Sequence, residues 1–305
     1  MKLVSYRTPG AFQAEPGRAE RLGVVHGERA VPAAQFAPEG HPQTMAELLH
    51  GLPASLEHLG RAWQSWSAEA DVHEGASLAD LELLAPVARP GKIVAIGVNY
   101  RSHAEEGDRE APESPLIFAK FSSSVVGSGA EVVWDPQLTA AVDVEAELAV
   151  VIGRHARNVS RASALDYVLG YTCLNDVSAR DLQFADRQFV RGKSLDTFCP
   201  MGPVLVTADD VADPQALRIR SFVNGEVMQD ASTSEMVFGV AELIEFCSRS
   251  FTLEPGDVIA TGTPAGVGWF REPKKMLHDG DEMVIEIEGL GRLVNTCREA
   301  PRTAG

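Results

Sequence analysis

The sequence predicts an α+β fold in which β-structure dominates. Three observations lead there. Strand-length apolar runs recur from residue 92 onward, helical periodicity is confined to a few segments, and Asn224-Gly225 joins two strand-like runs as a tight hairpin turn does. A doubly wound parallel sheet needs regular alternation of strand and helix, which this chain lacks. Its 305 residues suffice for one large or two ordinary domains.

The elements follow in chain order. Residues 1–70 form a small N-terminal α+β domain, with strands at 2–6, 21–25 and 29–31 and helices at 44–50 and 55–67. The first strand, Met1-Lys2-Leu3-Val4-Ser5-Tyr6-Arg7, reads as an edge strand and not as a signal peptide. Trp63 and Trp66 lie three apart on one helical face, a spacing suited to core or inter-domain packing. Residues 71–91, with Pro86 and Pro90, read as a linker. The larger domain spans 92–300. Strands are predicted at 93–97, 116–119, 131–133, 142–152, 165–175, 204–206, 218–223, 258–262 and 282–287, and helices after Asn99, near 179–189 and at 240–250.

At 45% hydrophobic and 23% charged residues, the chain has the composition of a soluble globular protein. A formal net charge of -16 opposes nucleic acid or an anionic membrane as the main partner. It leaves room for a small anionic substrate, because one cation and two basic side chains reverse a local field. No apolar run approaches the ~20 residues needed to span a bilayer. The four cysteines form no CxxC pair and read as reduced, buried thiols of a cytoplasmic protein.

Chemistry concentrates in three places. Glu145 and Glu147 interrupt the most apolar stretch of the chain and, two apart on a strand, project to one face while Val144, Ala146 and Leu148 fill the other. Two buried like charges need a compensating cation, a shared proton or solvent. Asp176, at the end of another apolar run, offers a third carboxylate. An all-oxygen set selects a hard ion, Mg²⁺, Mn²⁺ or Ca²⁺; an exposed strand face is the alternative.

In the second place, Asn99-Tyr100-Arg101-Ser102-His103-Ala104-Glu105-Glu106, a helix sets His103 against Glu106. A carboxylate on one ring nitrogen fixes the imidazole tautomer and raises its basicity, as a general base requires. The alternative is a surface histidine beside a solvated acidic turn. Third, if a helix starts after Asp176, Arg180 and Gln183 share its face and are suited to binding a carboxylate, and Lys193 sits in a glycine-containing loop before Cys199-Pro200-Met201-Gly202-Pro203. Each basic residue has surface salt bridging as its alternative. Residues 262–268 are glycine-rich but lack the Lys-Ser/Thr of a phosphate loop and the strand–helix setting of a dinucleotide fingerprint. They read as a tight loop that presents Thr263 and backbone amides to a ligand, or as a structural turn.

Six segments in order, 97–106 (GVNYRSHAEE), 115–127 (PLIFAKFSSSVVG), 142–153 (VDVEAELAVVIG), 170–183 (GYTCLNDVSARDLQ), 191–207 (RGKSLDTFCPMGPVLVT) and 255–268 (PGDVIATGTPAGVG), make the chain resemble the fumarylacetoacetate hydrolase family. The resemblance is closest to its domain-containing-protein-2 type, or 2-hydroxyhepta-2,4-diene-1,7-dioate isomerase-like, branch. It implies a mixed β-sandwich roll, a divalent metal (usually Mg²⁺) and a homodimer. It maps the metal ligands to Glu145, Glu147 and Asp176, the acid–base dyad to His103 and Glu106, and substrate contacts to Arg180, Gln183, Lys193 and Thr263. Lys120 is counted with the substrate-binding residues, and residues 122–124 map near the site.

The chemistry expected is metal-dependent hydrolysis of a carbon–carbon bond in a 2,4-dioxo acid of the acylpyruvate type. His103 activates the water, while Lys193 and Gln183 stabilise the oxyanion. The same site serves oxaloacetate tautomerisation or decarboxylation and dienedioate isomerisation. A non-catalytic metal-binding protein on the same fold is the alternative from another class.

Overall fold

The computed structural model describes residues 1–9, 20–37, 40–70 and 74–301; the first three residues of the expected linker, 71–73, lie outside these. The most apolar stretch explains the architecture. Along strand Ala146–Ile152, Leu148, Val150 and Ile152 enter one core while Ala149 and Val151 enter another. A strand buried on both faces reads as an unbroken apolar run instead of an alternating one. Each large side chain so buried contributes about 1.5–3 kcal/mol.

That strand is central in a twelve-stranded sheet among the described residues. The order across it is Ala76–Ser77, Arg29–Pro32, Arg21–His26, Lys2–Arg7, Cys199–Thr207, Val168–Asn175, Ala146–Ile152, Val258–Ala260, Ile93–Gly97 and Leu116–Lys120. Glu82–Leu83 pairs with Lys2–Arg7, and Val125–Val126 pairs with Cys199–Thr207. Against one face packs a five-stranded sheet, ordered Glu226–Ser232, Arg218–Val223, Glu282–Ile287, Gly291–Glu299 and Glu131–Trp134. Ile219, Ile285 and Leu293 meet Leu148 and Val150 in the core between the sheets. The second face is covered by helices Met45–His50 and Ala54–Ser67, whose Leu48 and Leu59 join Leu3, Val24 and Val151. Thr44 caps the first of these helices by accepting the Glu47 N–H at 3.2 Å. Trp63 and Trp66 pack 5.3 Å apart, with Trp63 edge-on to Phe36.

This mainly β, two-sheet arrangement agrees with the predicted fold class, with differences in detail. The first strand is internal, not an edge: Leu3 pairs with Val24 on one side and Leu205 on the other, and both Leu3 and Val4 are fully buried. The run 142–152 divides. Val142–Asp143 pairs with Ser178–Ala179, and Ala146–Ile152 pairs with Val168–Asn175, so the chain changes partner between them. Residues 165–167 belong to the 3₁₀ helix Arg161–Tyr167 instead of a strand. The strand foreseen at 204–206 extends over Cys199–Thr207 despite two prolines, because its pairing with Val168–Asn175 shifts register beside them. Gly291–Glu299, hidden by its charged and polar residues, is an additional strand.

Candidate active site

The site lies where strands of the large sheet end. Glu147 stands in Ala146–Ile152, and Glu145 just precedes it. Asp176 follows Val168–Asn175, and its N–H donates to the Glu145 carbonyl at 3.0 Å. Glu145, Glu147 and Asp176 are buried and offer oxygens within 4.8 Å of one another.

Three buried cations meet this charge. Lys193 Nζ donates to Glu145 Oε2 at 2.5 Å and to Asp176 Oδ2 at 2.8 Å. Lys120 Nζ donates to Asp176 Oδ1 at 2.7 Å and to the Lys193 carbonyl. Arg180 reaches Glu145 Oε1 at 2.7 Å and donates through Nε to Asp143 Oδ2 at 2.9 Å. Against the upward push of burial, Lys193 and Arg180 hold Glu145 down to about 2. Burial works against the Lys193 ammonium, but Asp176 and Glu145 raise its pKa.

Glu147 is different. No lysine or arginine lies within ion-pair reach among the described residues, and its carboxylate accepts the Gly262 N–H at 3.0 Å. Burial, then Asp176 and Glu145, raise its pKa well above the usual carboxylate range. A buried acid beside two others without its own cation is the place a hard divalent ion fits, and the donor set is all oxygen. Glu145, Glu147 and Asp176 would hold it.

Beside the acids, helix Arg101–Glu106 carries the second pair. His103 Nδ1 lies 2.9 Å from Glu106 Oε1, and Glu106 Oε2 accepts the Gly266 N–H at 2.8 Å. Asn99 anchors the helix entry, donating to the Phe238 and Thr261 carbonyls and accepting the Phe238 N–H. Val98, between strand and helix, has φ 54°, a conformation that a β-branched residue rarely adopts.

One small cavity of about 40 Å³ is lined by His103, Glu145, Glu147, Arg180, Gln183, Lys193 and Thr263, with Phe118, Phe184, Phe189 and Phe270 as apolar walls. Glu106 stands behind His103. Asp176 and Lys120 are fully buried behind the wall, so Lys120 meets the Asp176 carboxylate instead of the cavity. The helix expected after Asp176 starts at Arg180, because Ser178–Ala179 is first spent pairing with Val142–Asp143. Lys193 closes the short helix Val190–Lys193 and is not in a loop. Arg180 lines the cavity with its guanidinium already engaged by two carboxylates and by Gln183 Oε1 at 3.1 Å.

Two buried residues escaped sequence reasoning. Asp143 accepts the Gly268 and Trp269 N–H groups at 2.8 and 3.0 Å as well as Arg180 Nε. Its spacing of two before Glu145 was the available signal. Gln229 donates to Thr263 Oγ1 at 2.7 Å and accepts the Ala146 N–H at 2.9 Å; its hairpin strand carried none. The glycine-rich loop is thus a clamp whose amides hold three carboxylates, Glu147, Glu106 and Asp143. At Gly268 a Cβ would stand 1.9 Å from the Lys275 carbonyl oxygen, so no larger residue fits. All four cysteines are buried and unpaired, and no helix among the described residues is long and apolar enough to cross a membrane.

Comparison with known proteins shows the family. The family model described as fumarylacetoacetate (FAA) hydrolase C-terminal matches residues 92–298. Human mitochondrial oxaloacetate tautomerase FAHD2A is 43% identical over 297 residues, 97% of this chain and 91% of that protein. The fumarylacetoacetate hydrolase of the psychrophile Exiguobacterium antarcticum superposes with a TM-score of 0.79 at 36% identity, covering 98% of this chain and 100% of that one. Maleylpyruvate hydrolase from Sphingobium sp. SYK-6, solved with manganese(II) and pyruvate, gives a TM-score of 0.76 at 31% identity with the same coverage. The chain belongs to the fumarylacetoacetate hydrolase family of enzymes.

Proposed function

We propose that the chain interconverts the keto and enol forms of a small 2-oxo dicarboxylic acid, oxaloacetate or a close relative. The observation that carries this reading is the sharing of one narrow cavity by a single proton carrier, His103, and a hard-cation site. Tautomerisation needs these two and nothing more. The likeness to the human oxaloacetate tautomerase, over 91% of its length, supports it. Glu145, Glu147 and Asp176 would hold a divalent ion, Mg²⁺ or Mn²⁺, which would supply Lewis-acid polarisation of a 2-oxo acid.

The remaining work falls to the chain. Glu106, accepting Gly266 N–H with one oxygen, presents the other to the ring as an acceptor, so His103 donates from Nδ1 and keeps Nε2 free as the base. Nε2 takes the proton from the carbon next to the 2-oxo group and returns it to the enolate oxygen. Lys193 and Gln183 face that oxygen, Thr263 orients the carboxylate, and Arg180 and Lys120 position Glu145 and Asp176. The phenylalanine walls exclude water and favour a short substrate.

The hydrolytic reading keeps one specific support, the likeness to maleylpyruvate hydrolase. There His103 takes a proton from water attacking a 4-carbonyl. Four buried thiols favour a reducing compartment such as the cytosol, and exposed Leu116 and Phe121 favour a homodimer. The deciding experiment follows enol absorbance after mixing oxaloacetate with Mg²⁺-loaded protein, alongside chromatography of acylpyruvate incubations. Accelerated enol decay without cleavage supports tautomerisation; acylpyruvate cleavage without accelerated decay overturns it for hydrolysis.

A further inference from the structure

Every buried cation of the site is committed to a carboxylate, and this directs attention to Arg109. It lines the same cavity as His103, Glu145, Glu147 and Lys193, yet it is exposed, which puts it at the mouth. No ion pair or side-chain hydrogen bond engages its guanidinium among the described residues. Its backbone, in contrast, is fixed. Helix Arg101–Glu106 ends through Gly107, whose N–H donates to the His103 carbonyl, and Asp108, which turns at φ 51°. The Arg109 N–H then donates to the Ala104 carbonyl at 2.9 Å. This left-handed helix stop ties the position of Arg109 to the helix that carries the proton carrier.

Apart from His103, Glu147, Gln183 and Thr263, the rest of the wall is apolar or already neutralised. Phe118, Phe184, Phe189 and Phe270 offer no charge, and Arg180 and Lys193 face Glu145. A ligand with one carboxylate at the acidic trio and a second pointing out of the cavity meets Arg109 as the remaining cation of the lining. A planar guanidinium suits bidentate capture of a carboxylate. Its backbone tie to the His103 helix, through the Ala104 carbonyl, means that such capture also holds the proton carrier against the substrate.

We infer that Arg109 is a specificity-determining residue that binds the distal carboxylate of the substrate, and so selects 2-oxo dicarboxylic acids over 2-oxo monocarboxylic acids. This rests on the proposed action on such acids. The test compares wild type, Arg109→Gln and Arg109→Lys, all loaded with Mg²⁺. Two constants are read: KM for oxaloacetate, and KI for oxalate, which lacks a distal carboxylate beyond the metal-chelating pair. Arg109→Gln is expected to raise KM about 10-fold or more, with KI for oxalate within about twofold and partial rescue by Arg109→Lys. An unchanged KM, or a KI rising in parallel, overturns the assignment.

Absence of tautomerase activity in wild type would refute the functional reading alone. The arginine is then read by ligand-observed NMR of oxaloacetate and pyruvate binding. A preference for oxaloacetate that Arg109→Gln abolishes upholds it, and equal binding of the two acids by wild type overturns it.

Discussion

The Lys193 ammonium bridges Glu145 and Asp176, standing 2.5 Å from an oxygen of the first and 2.8 Å from an oxygen of the second. Two of the three acids proposed to hold a metal therefore carry an internal cation. Removing it leaves buried like charges facing each other. Lys193→Met is expected to destabilise the metal-free protein by about 3–5 kcal/mol. Urea denaturation in EDTA measures this, and added Mg²⁺ should narrow the gap to wild type. An unchanged midpoint in EDTA would refute the bridging role.

Glu147 should behave in the opposite sense. Its folded-state pKa is raised by burial and by Asp176 and Glu145. Its contribution to metal-free stability is thus full below the unfolded carboxyl pKa and is lost as pH rises through the folded value. Glu147→Gln should raise the melting temperature in EDTA at neutral pH while abolishing the rise produced by Mg²⁺. In wild type that rise corresponds to about 2.7 kcal/mol at a hundred times the dissociation constant. Thermal melts with and without Mg²⁺ decide, and a variant that keeps the full Mg²⁺ response would remove Glu147 from the ligand set.

For the proton carrier, His103→Asn is expected to lower kcat by about 10²–10⁴ with Mg²⁺ affinity retained. Glu106→Gln should cost less, since the ring remains while its orientation loosens. Steady-state kinetics paired with metal titration separates the two losses. Wild-type turnover in His103→Asn would assign the base elsewhere.

Burial pushes Cys173, Cys199, Cys247 and Cys297 up to about 12, so no thiolate forms near neutrality. Ellman's reagent at pH 8 should find no reactive thiol in the folded chain and four after unfolding in urea. Rapid reaction of any one of them in the folded protein would contradict its packing.

Much of this was legible beforehand, for definite reasons. Helix Val240–Ser250 and strands Ile93–Gly97, Arg218–Val223 and Glu282–Ile287 carry clean periodicity and fall where the pattern put them. The convergence of Glu145, Glu147 and Asp176 was suggested by charge in apolar context and by the ordered family motifs. Lys120 was harder. Its nearness to the site was foreseen, but whether a lysine meets the substrate or the back of a carboxylate depends on packing between distant segments. Gln229 was invisible as a site residue because its partner Thr263 lies far along the chain, and Asp143 offered only its spacing before Glu145, since its partners Gly268 and Trp269 are equally distant. The partner change at Val144–Glu145 is likewise tertiary, and no local propensity encodes it.

The placement of Lys2–Arg7 between Arg21–His26 and Cys199–Thr207 has a consequence for biosynthesis. At about 5–20 residues per second, the strand emerges from the ribosome some 10–40 s before Cys199–Thr207, the neighbour of Lys2 and Leu3, exists, and Glu82–Leu83 covers only Tyr6 and Arg7 in the meantime. During that interval the hairpin it makes with Arg21–His26 presents an open, apolar edge, a template for pairing with other nascent chains. The large sheet, in which Ala146–Ile152 also pairs with Val258–Ala260, closes only when synthesis has passed residue 260, so the strand that carries Glu147 is flanked on both sides late.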